Sequence, residues 1–174
     1  MNIPNALSFL RLLLVPVFAI VFFSDAPNAY NWAGFIFAFA GFTDILDGYI
    51  ARKYNQITRL GRIIDPLADK LMQVTAFVCL TISDIIPVWV IFILVAKELT
   101  LLGGGAIVLK KVKDVPPSNK YGKAASFVFF LLTIAVIVFP MTDLLKALLL
   151  GGGLALSILA LVMYALSGRK FMKQ

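Results

Sequence analysis

Thr43-Asp44-Ile45-Leu46-Asp47-Gly48-Tyr49-Ile50-Ala51-Arg52, followed by Gly61-Arg62-Ile63-Ile64-Asp65-Pro66-Leu67-Ala68-Asp69-Lys70, is the stretch on which the reading of this chain turns. It holds four of the nine acidic residues, in or beside segments apolar enough to enter a bilayer. An uncompensated carboxylate there costs about 3 kcal/mol or more, so four together require counter-charge. Asp44 and Asp47 are three residues apart and Asp65 and Asp69 four, so on helices each pair shares one face. Two facing carboxylate pairs form a cage suited to divalent cations.

Composition sets the class. Of 174 residues, 61% are hydrophobic and 14% charged, and the mean hydropathy is +0.95. Those values identify an integral membrane protein. There is no histidine, which excludes Ser-His-Asp and Cys-His chemistry and every imidazole metal site. The single cysteine, Cys79, lies in an apolar run and reads as a small buried hydrophobe. Carboxylates, lysines, arginines and hydroxyls remain, and hard oxygen ligands point to magnesium, manganese or calcium.

Apolar runs near 6–23, 31–51, 64–83, 86–109, 123–140 and 146–167 each approach the roughly 20 residues a bilayer requires. The expected fold is an all-α integral membrane protein of about six transmembrane helices, one domain over 1–174, with a polar cavity facing the cytoplasm. The net charge of +7 is placed asymmetrically. Arg52, Lys53, Arg59 and Arg62 join the second and third spans, and Lys110, Lys111, Lys113, Lys120 and Lys123 the fourth and fifth; Arg169, Lys170 and Lys173 follow the last. The other side carries Asp25, Asp84 and Asp143 against Lys146. Both termini and the basic loops are therefore expected in the cytoplasm, the chain crossing the plasma membrane several times. The basic excess reads as a topology signal and a surface for anionic lipid or phosphate, not for nucleic acid. The N-terminal segment lacks a basic start and a small-residue cleavage site after Phe23, so it is expected to be retained.

Asp44 lies eight residues before Arg52, about 12 Å below that boundary by helical rise, and Asp65 and Asp69 return to a comparable depth. Two divalent cations would cancel four carboxylates, and a metal pair is a common device for displacement at phosphorus. Gly48 lets a ligand approach the backbone, Ala51 keeps the next turn narrow, and Arg52 offers a planar fork to phosphate oxygens. Gly61 allows a bend that turns the third span toward the second. The plain structural alternative pairs Asp44 and Asp47 with Arg52, Lys53 or Lys70 and leaves Asp65 as a cap before Pro66.

The spacing Asp-x2-Asp-Gly-x2-Ala-Arg-x8-Gly-x3-Asp-x3-Asp, met at Asp44, Asp47, Gly48, Ala51, Arg52, Gly61, Asp65 and Asp69, resembles the signature of the CDP-alcohol phosphotransferase family. The resemblance extends to chain length and the six-span architecture. It implies attack of an alcohol on the β-phosphorus of a CDP-linked lipid with release of CMP. It further implies two Mg2+ (or Mn2+) ions per site held by Asp44, Asp47, Asp65 and Asp69, with Asp69 as general base. CDP-diacylglycerol would meet Gly48, Ala51, Arg52, Thr58, Gly61 and Asn5.

The opening Asn2-Ile3-Pro4-Asn5-Ala6-Leu7-Ser8-Phe9-Leu10-Arg11 and the run Asp65–Lys70 are similar to bacterial phosphatidylglycerophosphate synthases. That likeness implies glycerol 3-phosphate as acceptor, with Lys97, Lys123, Arg62 and Lys120 as candidates for its phosphate. Lys97-Glu98 stands where that branch usually has Arg-Glu, and Gly122-Lys123-Ala124-Ala125-Ser126 lacks a second lysine. A cardiolipin synthase of the same family, with phosphatidylglycerol as acceptor, is the alternative these departures leave open. For Lys97, the structural alternative is an ion pair with Glu98. The runs Gly103–Gly105 and Gly151–Gly153 read as packing features, and each has an alternative beside that reading. The first run would end the fourth helix early, and the second would contribute to the homodimer common in the family. An ion or metal transporter is the non-enzyme alternative, but neither inverted repeats nor paired broken helices are visible.

Overall fold

A computed structural model of the chain describes residues 2–54, 58, 61–111 and 120–171; the side chains at 62–63, 101–121, 123, 161 and 164–171 lie outside that description. Among the described residues six helices follow one another: α1 Ile3–Phe22, α2 Ala29–Lys53, α3 Gly61–Ile82, α4 Trp89–Lys111, α5 Lys120–Val138 and α6 Asp143–Phe171. No strand occurs among the described residues. Three of the helices contain windows long and apolar enough to cross a membrane: Ile3–Phe22, Ala29–Lys53 and Asp143–Ala160; Ala124–Val138 is a shorter apolar helix.

The helices fall into two compact units. The first comprises residues up to Ile85 together with Ile137–Phe139; the second comprises Ile86–Val136 and the chain from Pro140 onward. In the first, α1 packs along both α2 and α3, which touch each other far less. Its buried residues, Pro4, Asn5, Ser8, Arg11, Phe18 and Phe22, recur at helical spacing and form one stripe. That stripe is polar over its first turns and aromatic over its last. The aromatic half closes against α2, with Phe18 and Phe37 at 6.0 Å and Phe22 and Tyr30 at 5.1 Å. On α2 the buried residues Ala33, Gly34, Phe37, Ala40, Thr43 and Asp47 form a second stripe. Gly34 has a packing reason, since a β-carbon there would run into Val138 Cγ2.

The end of α3 shows how a helix stops without glycine. Ile85 N–H donates to Leu80 O at 2.9 Å and Asp84 N–H to Thr81 O at 3.0 Å, with Asp84 at φ 55°. That is a Schellman closure with aspartate in the left-handed position. Hydroxyls within the apolar helices satisfy themselves on the preceding turn, as Thr43 does on Ala40 O, Thr133 on Phe129 O and Ser157 on Gly153 O.

Two of the alternatives do not hold. The glycine run 103–105 does not end the fourth helix, because α4 continues through it to Lys111. Three glycines cost helix propensity but remove no hydrogen bond, so a helix can carry them. Asp65 is not a cap either. The third helix begins at Gly61 and Pro66 lies inside it, early enough that its missing N–H falls close to the unpaired first turn.

Candidate functional site

The first three helices bring their polar ends together. Asn5, Ser8 and Arg11 come from the start of α1, Asp44 and Asp47 from the last turns of α2, and Asp65 and Asp69 from the start of α3. Arg11 is 1% exposed and its guanidinium forks between two carboxylates. Nη1 donates to Asp44 Oδ1 at 2.6 Å and Nη2 to Asp47 Oδ2. The partners differ in burial: the Asp47 side chain is 4% exposed and that of Asp44 is 44%. Breaking a buried pair of this kind by removing one partner costs about 3–5 kcal/mol, and the Arg11–Asp47 arm falls in that class.

Asp65 is held from the other side. Ser8 Oγ lies in hydrogen-bond contact with Asp65 Oδ1 and also faces Pro4 O at 3.0 Å. One turn away, Thr58 Oγ1 donates to Asn5 Oδ1 at 2.8 Å and accepts the Gly61 amide at 2.9 Å. The Thr58 hydroxyl thus satisfies the first amide of α3 and ties the start of that helix to α1. Gly61 is small for a local reason: a β-carbon would stand 2.9 Å from Asn5 Oδ1, 3.1 Å from Thr58 Oγ1 and 3.5 Å from Asp65 Oδ2. Asp69, 49% exposed, is paired with Lys70 at 3.5 Å.

The four aspartates act on one another. Asp44 lies in the field of Asp69 and Asp65, and Asp47 in that of Asp44 and Asp65. Among the described residues no three acidic side chains form a ready metal-ligand set. Arg11 stands where a cation between Asp44 and Asp47 would stand. The donor chemistry nevertheless fits a divalent metal: four carboxylates on two short stretches, one on each of two helices, supplying only hard oxygen.

The remaining candidates are placed as follows. Gly48 is half-buried and Arg52 exposed, and Arg52 Nη2 would be 3.7 Å from a β-carbon at Gly48. Ala51 follows on the same helix, half-buried. Lys53 spreads over the rings of Tyr49 and Tyr54, at 5.4 and 5.7 Å. Lys97 belongs to the second unit. It is buried, 2.8 Å from Glu98 Oε1, and its ammonium sits 5.8 Å from the centre of the Phe129 ring. The side chains of Arg62, Lys120 and Lys123 lie outside the described residues.

Arg11 and Ser8 were not among the residues the sequence singled out for the site. Sequence proximity offered Arg52, Lys53 and Lys70 as counter-charges, whereas the fold supplies one from 33 and 36 residues away. The available signal was the spacing of Asn5, Ser8 and Arg11, which places three polar residues on one face of an apolar helix.

Apolar helices whose polar ends converge on clustered carboxylates define an all-helical membrane protein with an acidic site. More narrowly, the chain belongs to the CDP-alcohol phosphatidyltransferase family, whose model matches residues 1–164. It is 39% identical over 130 residues to a cardiolipin synthase (CMP-forming) of Streptomyces coelicolor, covering 73% of this chain and 60% of that protein. It is 29% identical over 164 residues to a CDP-diacylglycerol–glycerol-3-phosphate 3-phosphatidyltransferase of Bacillus subtilis, covering 82% and 84% respectively. A protein of the same description from Rickettsia felis is 33% identical over 137 residues, covering 78% and 75%. The chain thus spans about three fifths of the length of the actinobacterial relatives it matches.

Proposed function

We propose that the protein transfers a phosphatidyl group from CDP-diacylglycerol to glycerol 3-phosphate, giving phosphatidylglycerophosphate and CMP. The observation that carries this reading is the convergence of three of the four signature aspartates, Asp44, Asp47 and Asp65, at the buried Arg11 and Ser8 of α1. The choice of acceptor is supported by relatives named for glycerol 3-phosphate, which align over 84% and 75% of their own lengths.

The acceptor hydroxyl oxygen forms a bond to the β-phosphorus as the bond from that phosphorus to the CMP oxygen breaks. Asp69 takes the hydroxyl proton; its half-exposed carboxylate on α3 is open to an incoming substrate. Arg52, exposed beside Gly48, binds diphosphate oxygens with its planar fork. Asn5, Thr58 and Gly61 fix the start of α3, which carries Asp65 and Asp69. Asp44, Asp47, Asp65 and Asp69 would hold two magnesium or manganese ions, whose chemistry is to neutralise charge developing at phosphorus. Lys97, with Arg62, Lys120 and Lys123, would bind the acceptor phosphate. The active site and both termini face the cytoplasm, the protein lies in the plasma membrane among its lipids, and it forms a homodimer.

Cardiolipin synthesis, with phosphatidylglycerol as acceptor, is the second reading. It is favoured by the 39% identity to the Streptomyces protein and by the single lysine at 123. CMP release by purified protein with CDP-diacylglycerol and Mg2+ separates the two: turnover with glycerol 3-phosphate alone is expected, and turnover with phosphatidylglycerol alone would replace it. Asp69→Asn should lower CMP release by about 10²–10⁴-fold, the range for a general base. Its melting temperature should be close to that of the parent protein, because Asp69 is half-exposed. A variant that folds and retains full turnover removes Asp69 from the base role.

A further inference from the structure

Among the described residues the buried charged side chains are Arg11, Asp47, Lys97 and Glu98, and the reaction proposed above gives Arg11 no part. We propose that Arg11 competes with divalent metal for the carboxylates of Asp44 and Asp47, so that metal binds by displacing it and Arg11 sets the metal affinity of the site. The inference rests on the reading of the four aspartates as a divalent-metal site.

Geometry is the first ground. The guanidinium takes one oxygen from each of Asp44 and Asp47, the two carboxylates that would embrace an ion between them. Metal and arginine therefore compete for the same atoms. A divalent ion and a guanidinium lodged on one carboxylate pair would also repel at short range, where the surrounding helices keep the dielectric low.

The second ground is how incompletely the guanidinium is satisfied. Arg11 Nε is buried and has no hydrogen-bond partner among the described residues. Buried arginines kept as permanent structural partners normally have their donors met. Here the two Nη groups meet the carboxylates and Nε meets none of the described residues, as expected of a group placed for its charge. The third ground is delivery: Arg11 shares a rigid helical face with Asn5 and Ser8, which tie α1 to Thr58 and Asp65. With α1 so anchored, the long arginine side chain is the part free to withdraw.

The test is a Mn2+ titration of the detergent-solubilised full-length protein, with free metal read by electron paramagnetic resonance, for the parent, Arg11→Gln and Arg11→Lys. Arg11→Gln should bind Mn2+ about tenfold more tightly, within the usual range of coupling between competing ligands. Its melting temperature without metal should fall, and the rise on adding Mn2+ should exceed that of the parent protein. Arg11→Lys keeps the charge but not the fork that bridges both carboxylates. It should lie between the two, and it decides the matter if the glutamine variant does not fold. Equal or weaker Mn2+ affinity in the variants that fold overturns the proposal and makes Arg11 a permanent partner. No Mn2+ binding by parent or variants overturns the metal reading along with it.

Discussion

A methyl group added to Gly61 would stand 2.9 Å from Asn5 Oδ1 and 3.1 Å from Thr58 Oγ1, wedged into the hydrogen bond those two atoms share. Neither neighbour is free to yield. Asn5 is buried on α1, and Thr58 Oγ1 is also held by the Gly61 amide. Gly61→Ala should therefore push the start of α3 away from α1, carrying with it Asp65, which Ser8 holds four residues later. Overpacking of this kind costs about 1–3 kcal/mol, offset in part by the 0.5–1 kcal/mol by which alanine favours a helix over glycine. The net loss of stability should be small. The effect on chemistry should be larger, since a displacement of about 1 Å at a reacting centre can cost 10²-fold in rate. A thermal melt beside a CMP-release assay checks this: a small fall in melting temperature with a fall in turnover of about that size is expected. Turnover at the parent rate would mean that the Asn5–Thr58 tie does not position Asp65.

At the scale of the element, the two glycine runs separate composition from context. Gly153 on α6 faces α5, where a β-carbon would stand 2.8 Å from Phe129 Cδ2 and 2.9 Å from Leu132 Cδ1, whereas Gly151 and Gly152 have open space. Gly153→Leu should lower stability by about 1–3 kcal/mol through overpacking, while Gly152→Ala should be neutral or stabilising through helix propensity. Melting curves of the two variants read the contrast, and equal effects would mean that α5 and α6 do not pack at Gly153. Nothing in three identical letters distinguishes the position that packs from its neighbours. The same limit hid the passage of α4 through 103–105. What the sequence did carry was periodicity: among the described residues, six apolar runs became six helices within a few residues. The partner of Asp44 and Asp47 was harder to see, because packing of α1 against α2 brings Arg11 to them and local spacing does not.

At the scale of the whole molecule, charge asymmetry makes a claim that can be read from outside the cell. Helix α2, with 25 residues, has a rise of about 37 Å, enough to cross a hydrocarbon core of about 30 Å. Its ends differ in charge: Asp25 precedes it, while Arg52 and Lys53 close it. Excess cations on one side retain that side in the cytoplasm, so Asp25 should face outward and Lys53 inward. Both are exposed, and the chain's single cysteine, Cys79, is 2% exposed. The parent protein should therefore react little with a membrane-impermeant maleimide, and each introduced cysteine reports alone. Asp25→Cys should label in intact cells, and Lys53→Cys only after permeabilisation. The reverse pattern would turn the four aspartates outward, away from a cytoplasmic supply of water-soluble acceptor, and would remove glycerol 3-phosphate as the proposed substrate. Labelling of both positions from one side would mean that α2 does not span, and would leave four carboxylates with no bilayer to explain why their counter-charge is buried.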